Sequence, residues 1–148
     1  MRLRKTGIGM AVVAAVLAAG VTAGAPAVAE GEPTGGPAEG EVLPHPGPDG
    51  LIWIPAWVGH GGAVTGGASP DRSFTLTVAC QGIGSVEVTF TAQYGDTSPV
   101  TFQVDCTATG APGVGSRVLD GEQGRSFGVG VTTSSPAIRW GLTATQAD

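Results

Sequence analysis

One pentapeptide in this 148-residue sequence has the spacing of a nucleophile motif. Gly124-Arg125-Ser126-Phe127-Gly128 matches the Gly-x-Ser-x-Gly pattern of serine hydrolases, which needs a strand-to-helix turn followed later by an acid and a histidine. Here the next residues alternate with glycine, as in a strand, and the only histidines, His45 and His60, precede Ser126. We therefore interpret Ser126 as a polar strand residue and predict no catalytic residues. A secreted hydrolase with a cleft that brings Ser126 or paired carboxylates next to His60 is the least favoured alternative.

Side chains that could ligate a metal ion are few and scattered. His45 and His60 are isolated from each other, and the chain has no Cys-x-x-Cys pair. The turn Asp120-Gly121-Glu122 could bring two carboxylates together, but it lacks the repeated acidic ligands of a calcium loop. We interpret it as a solvated turn, with Ca²⁺ binding as the alternative, and predict no metal site and no cofactor.

Cys80 and Cys106 are the only cysteines, and both fall on the apolar side of alternating stretches. In an oxidising compartment we expect them to form a disulfide. As first and third strands of a meander they would lie about 9.5 Å apart, whereas a disulfide needs a Cα separation of about 4.4–6.8 Å. We therefore predict that their strands face one another across the core or converge at its end.

Trp53 and Trp57 are the candidate ligand-binding residues. They lie in the most hydrophobic stretch outside the N-terminus, Leu51 to Val58, and a regular strand would project both to one side, about 13 Å apart. Aromatic rings at such a spacing can stack on the flat faces of sugars. The competing interpretation is packing, because Pro55 restricts this stretch to an edge strand that could cover a small core.

The N-terminus predicts export. Arg2, Arg4 and Lys5 precede an uncharged, mostly apolar run, and Ala27-Val28-Ala29 supplies the small residues that a signal peptidase reads. We predict a signal peptide over residues 1–29 and a secreted, extracellular product. That product keeps four arginines against twelve acidic residues, so its net charge is −8. Such an acidic chain disfavours nucleic acid and anionic membrane as partners.

The remaining sequence divides by composition. Residues 30–50 are rich in Pro, Gly and Glu and predict a disordered leader, and residues 51–148 predict a single domain. The Gly-rich stretch from His60 to Ser69 predicts a loop. From Ser73 onward, short runs alternate apolar and polar residues between turn residues. This pattern predicts an all-β fold: an antiparallel β-sandwich, immunoglobulin-like or jelly-roll-like, with six or seven strands and one disulfide.

The segment Cys80-Gln81-Gly82-Ile83-Gly84, the later Val104-Asp105-Cys106 and a terminal strand with Trp140 resemble small secreted β-sandwich proteins of high-GC Gram-positive bacteria, over residues 70–146. Such proteins are mostly of unknown function, and the resemblance implies no catalytic residue.

We predict a secreted, non-enzymatic binding or interaction module that acts at or near the cell surface on a cell-wall polymer, a polysaccharide or another protein. Exposed Trp53 and Trp57 would favour a carbohydrate- or cell-wall-binding module. Packed tryptophans, with a free strand edge or a contact between copies, would favour a protein interaction.

Overall fold

Nine β-strands and one 3-10 turn form the regular structure of residues 35–148, the part of the chain that this computed structural model describes. The predicted signal peptide, residues 1–29, and the start of the predicted leader, residues 30–34, lie outside the described residues. The strands are β1 (Gly36–Pro37), β2 (Gly50–Val58), β3 (Gly61–Gly66), β4 (Phe74–Gln81), β5 (Ser85–Ala92), β6 (Val100–Asp105), β7 (Gly113–Leu119), β8 (Ser126–Thr133) and β9 (Arg139–Thr145), with the 3-10 turn at Gln123–Arg125.

The strands form two antiparallel sheets that pack face to face, so the predicted β-sandwich is confirmed. One sheet has the order β1-β2-β9-β4-β7 and the other the order β3-β8-β5-β6. Alternation of apolar and polar residues is the cause, because successive strand residues point to opposite faces. The inward positions of both sheets make one core, which includes Leu76, Val78, Val86, Val88, Phe102, Val104, Val129, Val131, Leu142 and Ala144.

Aromatic side chains fill both ends of this core. At one end the rings of Phe74, Phe90 and Phe127 approach one another with centroid separations of 5.1 to 5.8 Å. At the other end Trp140 is fully buried, and its indole N–H donates to the carbonyl oxygen of Gly59 at 2.8 Å. Burial of each such side chain contributes about 1.5–3 kcal/mol, so these rings supply much of the driving force for sheet packing.

The disulfide joins the two sheets at the Trp140 end. Cys80 lies in β4 of the five-stranded sheet, Cys106 directly follows β6 of the four-stranded sheet, and their Cα atoms are 4.9 Å apart. The Gly82 N–H donates to the Thr107 carbonyl oxygen at 2.9 Å, which adds a main-chain link beside the bridge. The prediction that the two strands converge across the core is confirmed.

β3 corrects one prediction. The Gly-rich stretch from His60 to Ser69 was expected to be a loop, but Gly61–Gly66 pairs with β8 along its whole length. A Cβ atom on Gly62 would lie 2.3 Å from the Val129 carbonyl oxygen, and one on Gly66 would lie 2.2 Å from that of Arg125. Glycine is needed at these positions because the main chain of β3 approaches the chain of β8 closely. A glycine-rich segment, of a composition typical of loops, therefore forms a strand here. With β1, this strand raises the total above the six or seven expected.

The described part of the predicted leader, residues 35–50, also departs from expectation. Val42 is buried against Ala56 and Ala79 on the outer face of the five-stranded sheet. The N–H groups of Val42 and Leu43 both donate to the Pro55 carbonyl oxygen, at 2.7 and 3.3 Å. This segment is packed because the small outward-facing residues beneath it leave apolar surface that it covers.

Candidate interaction surface at a sheet edge

The two candidate tryptophans lie on opposite faces of the five-stranded sheet. The pairing of β2 with β9 shifts by one residue between Ile54 and Trp57, and each of these two residues lies opposite a fully buried residue of β9. Trp53 instead pairs with Thr143 on the outer face. The expectation that both tryptophans project the same way is wrong, because the β-bulge at Pro55 reverses the alternation.

Trp57 is a packing residue. Its indole N–H donates to the carbonyl oxygen of His60 at 3.0 Å, and its ring centroid lies 6.2 Å from that of Trp140. A Cβ atom on Gly61 or on Gly35 would lie 2.5 Å from Trp57 Nε1. The indole is therefore held between main-chain segments on the inner side of β2.

Trp53 fastens the segment before β2 to the outer face. Its indole N–H donates to the Leu43 carbonyl oxygen at 3.1 Å, and the ring of His45 meets it edge-on with a centroid separation of 4.6 Å. His45 Nδ1 in turn accepts the Gly47 N–H at 3.0 Å. Trp53 is half-buried and is the one tryptophan on this face. The predicted platform of two tryptophan rings is therefore not formed.

Ser126 and His60 lie at opposite ends of β8. Ser126 begins the strand, whereas His60 Nδ1 accepts the N–H of Thr133, its last residue, at 3.1 Å. A strand of that length spans about 23 Å at roughly 3.3 Å per residue. The Ser126 hydroxyl instead hydrogen-bonds to Gln93 Oε1 at 3.0 Å. A Ser126–His60 nucleophile pair therefore does not form.

The carboxylates near the acidic turn are engaged locally. Asp120 Oδ1 accepts the N–H of Glu122 at 3.1 Å, and the Glu122 carboxylate pairs with Arg125 at 2.9 Å. In a neighbouring loop, hydrogen bonds from the main-chain N–H and hydroxyl of Ser98 lower the pKa of Asp96. Across residues 35–148, no three or more His, Cys, Asp and Glu side chains are grouped to hold a metal ion.

β3 forms an edge of the four-stranded sheet, and half of its main chain points away from that sheet. The Ser126 carbonyl oxygen accepts the Gln93 N–H at 2.9 Å, on the β5 side of β8. Because the N–H and C=O of a strand residue point toward the same neighbour, the β3 residues paired with Ser126 and with every second residue after it face outward. These residues are Gly62, Val64 and Gly66. No hydrogen bond reaches their main-chain groups from within residues 35–148.

The other edge strands in the described chain, β1, β6 and β7, each carry a proline or a charged residue. β6 and β7 lie beside each other, with the Arg117 guanidinium 4.8 Å above the Phe102 ring, and β6 ends at Asp105. β1 contains Pro37, and the N–H groups of residues 38, 42 and 43 donate to the carbonyl oxygens of Ala56 and Pro55 in β2. β3 has the sequence GGAVTG, with no charge and no proline. It therefore lacks the devices that usually prevent strand addition at an edge.

The outer face beside β3 is open and nearly featureless. Val64 is 78% exposed, the second highest value among the large apolar side chains described. Next to it is a shallow recess of about 580 Å³, lined by Gly62, Ala63, Val64, Thr89, Thr91, Gly128, Val129 and Gly130. Neither β3 nor β8 contains a charged residue. The edge and the adjoining recess thus form one uncharged surface, which we call the β3 surface.

Comparison with known proteins adds no assignment. No helix within residues 35–148 is long and apolar enough to cross a membrane. No protein-family model, curated protein or solved structure matches the chain.

Proposed function

We propose that this protein is an exported, non-enzymatic interaction module that acts at or near the cell surface by binding an extended strand of a protein at the β3 edge. The observation that carries the proposal is the open edge itself, where Gly62, Val64 and Gly66 direct main-chain donors and acceptors to solvent. An added strand would satisfy these groups, as in β-strand addition to other sheet edges.

Export is supported by two features of the chain. The N-terminal sequence has the charged, apolar and small-residue regions of a signal peptide, with Ala27 and Ala29 before the predicted cleavage site. The Cys80–Cys106 disulfide is of the kind that persists in oxidising compartments.

A protein strand suits this surface better than a glycan or a nucleic acid. Sugar recognition by Trp53 and Trp57 would need two rings on one face, and here they occupy opposite faces with both indole N–H groups bonded internally. A nucleic acid would meet an exported product of net charge −8. The β3 surface offers main-chain groups and one exposed valine, which fit a second strand.

The proposal is tested by site-specific photo-crosslinking in a Gram-positive bacterium that expresses the full chain. A photoreactive residue replaces Val64 in one strain and Val118 in a matched control, since Val118 is 69% exposed but lies in β7. We expect protein adducts in the envelope or the medium from position 64 and none from position 118. The recovered protein should begin at Glu30.

Two results would overturn the proposal. The first is the absence of protein adducts from position 64. The second is co-sedimentation with purified sacculi or insoluble polysaccharide that is lost in a Trp53→Ala variant and kept in a Val64→Lys variant. That second pattern would assign the protein to glycan binding through the outer face of the five-stranded sheet.

A further inference from the structure

The sequence of the β3 edge is nearly symmetric about its exposed valine. Residues 61–67 read Gly-Gly-Ala-Val-Thr-Gly-Gly, so residues equally distant from Val64 are of the same or similar size. The three residues whose main chain points outward, Gly62, Val64 and Gly66, are spaced evenly around the same centre. An antiparallel copy of this strand is therefore complementary to the strand itself.

We propose that β3 pairs with β3 of a second copy of this chain about a two-fold axis at Val64, which joins the four-stranded sheets of two copies into one continuous sheet. The proposal rests on the proposed function and names the bound strand. In this register Gly62 faces Gly66 of the other copy and Val64 faces Val64. Each of the three outward pairs is then a hydrogen-bonded pair, so about six main-chain hydrogen bonds form.

Side-chain packing favours the same register. The pair at the axis places two Val64 Cα atoms about 5.5 Å apart with both side chains on the outer face. This contact removes apolar surface from water at a residue that is 78% exposed in one copy. The glycines on both sides add no bulk, so the strands can approach along the full edge.

The distribution of charged residues favours the β3 surface as the contact between two copies. The exported product carries twelve acidic and four basic residues, so two copies repel each other over most approaches. β3 and β8 together contain no charged residue, and Arg125, which precedes β8, is paired with Glu122. Contact through this surface brings no like charges together. A one-residue slip of register would instead place outward main-chain groups opposite inward ones.

The first test measures self-association by sedimentation velocity over a concentration series, using protein recovered from cells that express the full chain. We expect a monomer–dimer equilibrium in the wild type. A Val64→Lys variant places two ammonium groups at the axis and should weaken the dimer at least about tenfold, because like charges directly opposite on paired strands repel. The matched Val118→Lys variant makes the same change at an exposed strand position of the other sheet and should leave the dimer unchanged.

The second test determines the register of the two paired β3 strands by crosslinking, so it does not depend on a variant that weakens the dimer. A Val64→Cys variant should form a disulfide-linked dimer on mild oxidation, because facing Cα atoms about 5.5 Å apart are within disulfide range. Val118→Cys should remain uncrosslinked, because position 118 lies in β7 of the other sheet, away from the proposed axis. Cys80 and Cys106 are paired with each other and offer no competing thiol in either variant. Val64→Pro removes an N–H that points away from β8, so it should abolish the dimer and leave the monomer folded.

The results separate this inference from the proposed function. A wild type that stays monomeric at all concentrations, or a dimer insensitive to both Val64→Lys and Val64→Pro, overturns the self-pairing. If the wild type is monomeric while position 64 crosslinks to a different protein on cells, strand binding stands and only the identity of the partner was wrong. If position 64 yields neither a dimer nor any adduct, both proposals fail.

Discussion

Reduction of the Cys80–Cys106 disulfide should cost this protein a large part of its stability. The bridge spans a sequence separation of 26 residues. Closing a loop of that length restricts the unfolded chain by about 3.5 kcal/mol in the chain-entropy model. Small domains have total stabilities of about 5–15 kcal/mol, so the loss is substantial. At roughly 4 °C per kcal/mol for a domain of this size, we expect the melting temperature to fall by about 14 °C.

The measurement is urea unfolding, detected by tryptophan fluorescence. It compares the oxidised protein, the reduced protein and a Cys80→Ala/Cys106→Ala variant. Reduction keeps both sulfur atoms in place, whereas the double variant also loses buried volume at Cys80. The difference between the reduced protein and the variant therefore isolates the packing cost, which we expect to be about 1–2 kcal/mol.

A free-energy change on reduction below about 1 kcal/mol would refute the reasoning, because the loop-closure term alone exceeds it. A change above about 6 kcal/mol would also refute it. That result would mean that the bridge holds the two sheets together in the folded state, beyond its effect on the unfolded chain. If the unfolding free energy of the reduced protein falls more steeply with urea concentration than that of the oxidised protein, its unfolded state is more expanded.

Two further predictions concern packing and ionisation. Gly61→Ala should destabilise the fold by about 1–3 kcal/mol in urea unfolding, because its Cβ would lie 2.5 Å from Trp57 Nε1. Gly130→Ala, whose Cβ meets nothing within 4 Å, is the control and should be neutral or slightly stabilising; equal losses in both would contradict the packing argument. The Asp96 carboxyl should titrate by NMR with a pKa below its ordinary value, and Ser98→Ala should raise it. Because the pKa of Asp96 is lowered in the folded state, the stabilisation that it brings is present above the unfolded pKa and is lost as the pH falls through the folded pKa. Ser98→Ala removes only the hydroxyl and keeps the main-chain N–H, the larger cause, so an unchanged pKa in the variant would contradict the contribution of the hydroxyl alone.

The candidate interaction surface was only partly predictable from sequence. The protein-interaction alternative included a free strand edge. The stretch that forms this edge, within residues 60–69, was however predicted to be a loop because of its glycines. Glycine frequency is informative about chain flexibility, whereas the close approach of Gly62 and Gly66 to the carbonyl oxygens of Val129 and Arg125 depends on residues about sixty positions later in the chain. The symmetry of residues 61–67 is visible in the sequence, and it acquires meaning only once they form an edge.

The tryptophan prediction was wrong in geometry for a related reason. Regular alternation assigns Trp53 and Trp57 to one face, and Pro55 predicted only that this stretch is an edge strand, with no bulge. The bulge reverses the alternation only because β2 must keep pairing with β9 on both sides of the proline. The segment before β2 was likewise misjudged, because average composition does not register one buried Val42 above a patch of small residues.

The sequence by itself determined the two-layer β architecture, the inward-facing residues from Phe74 onward and the pairing of the two cysteines across the core. These depend on local period-two alternation and on the distance that a disulfide can span, both of which act within a strand or a short loop. The tertiary structure alone decided which edge remains open, on which face each tryptophan lies and what covers the five-stranded sheet. Those outcomes depend on contacts between residues distant in the chain. A strand is an edge strand when no other strand pairs with its second side, and the strand's own sequence does not determine this.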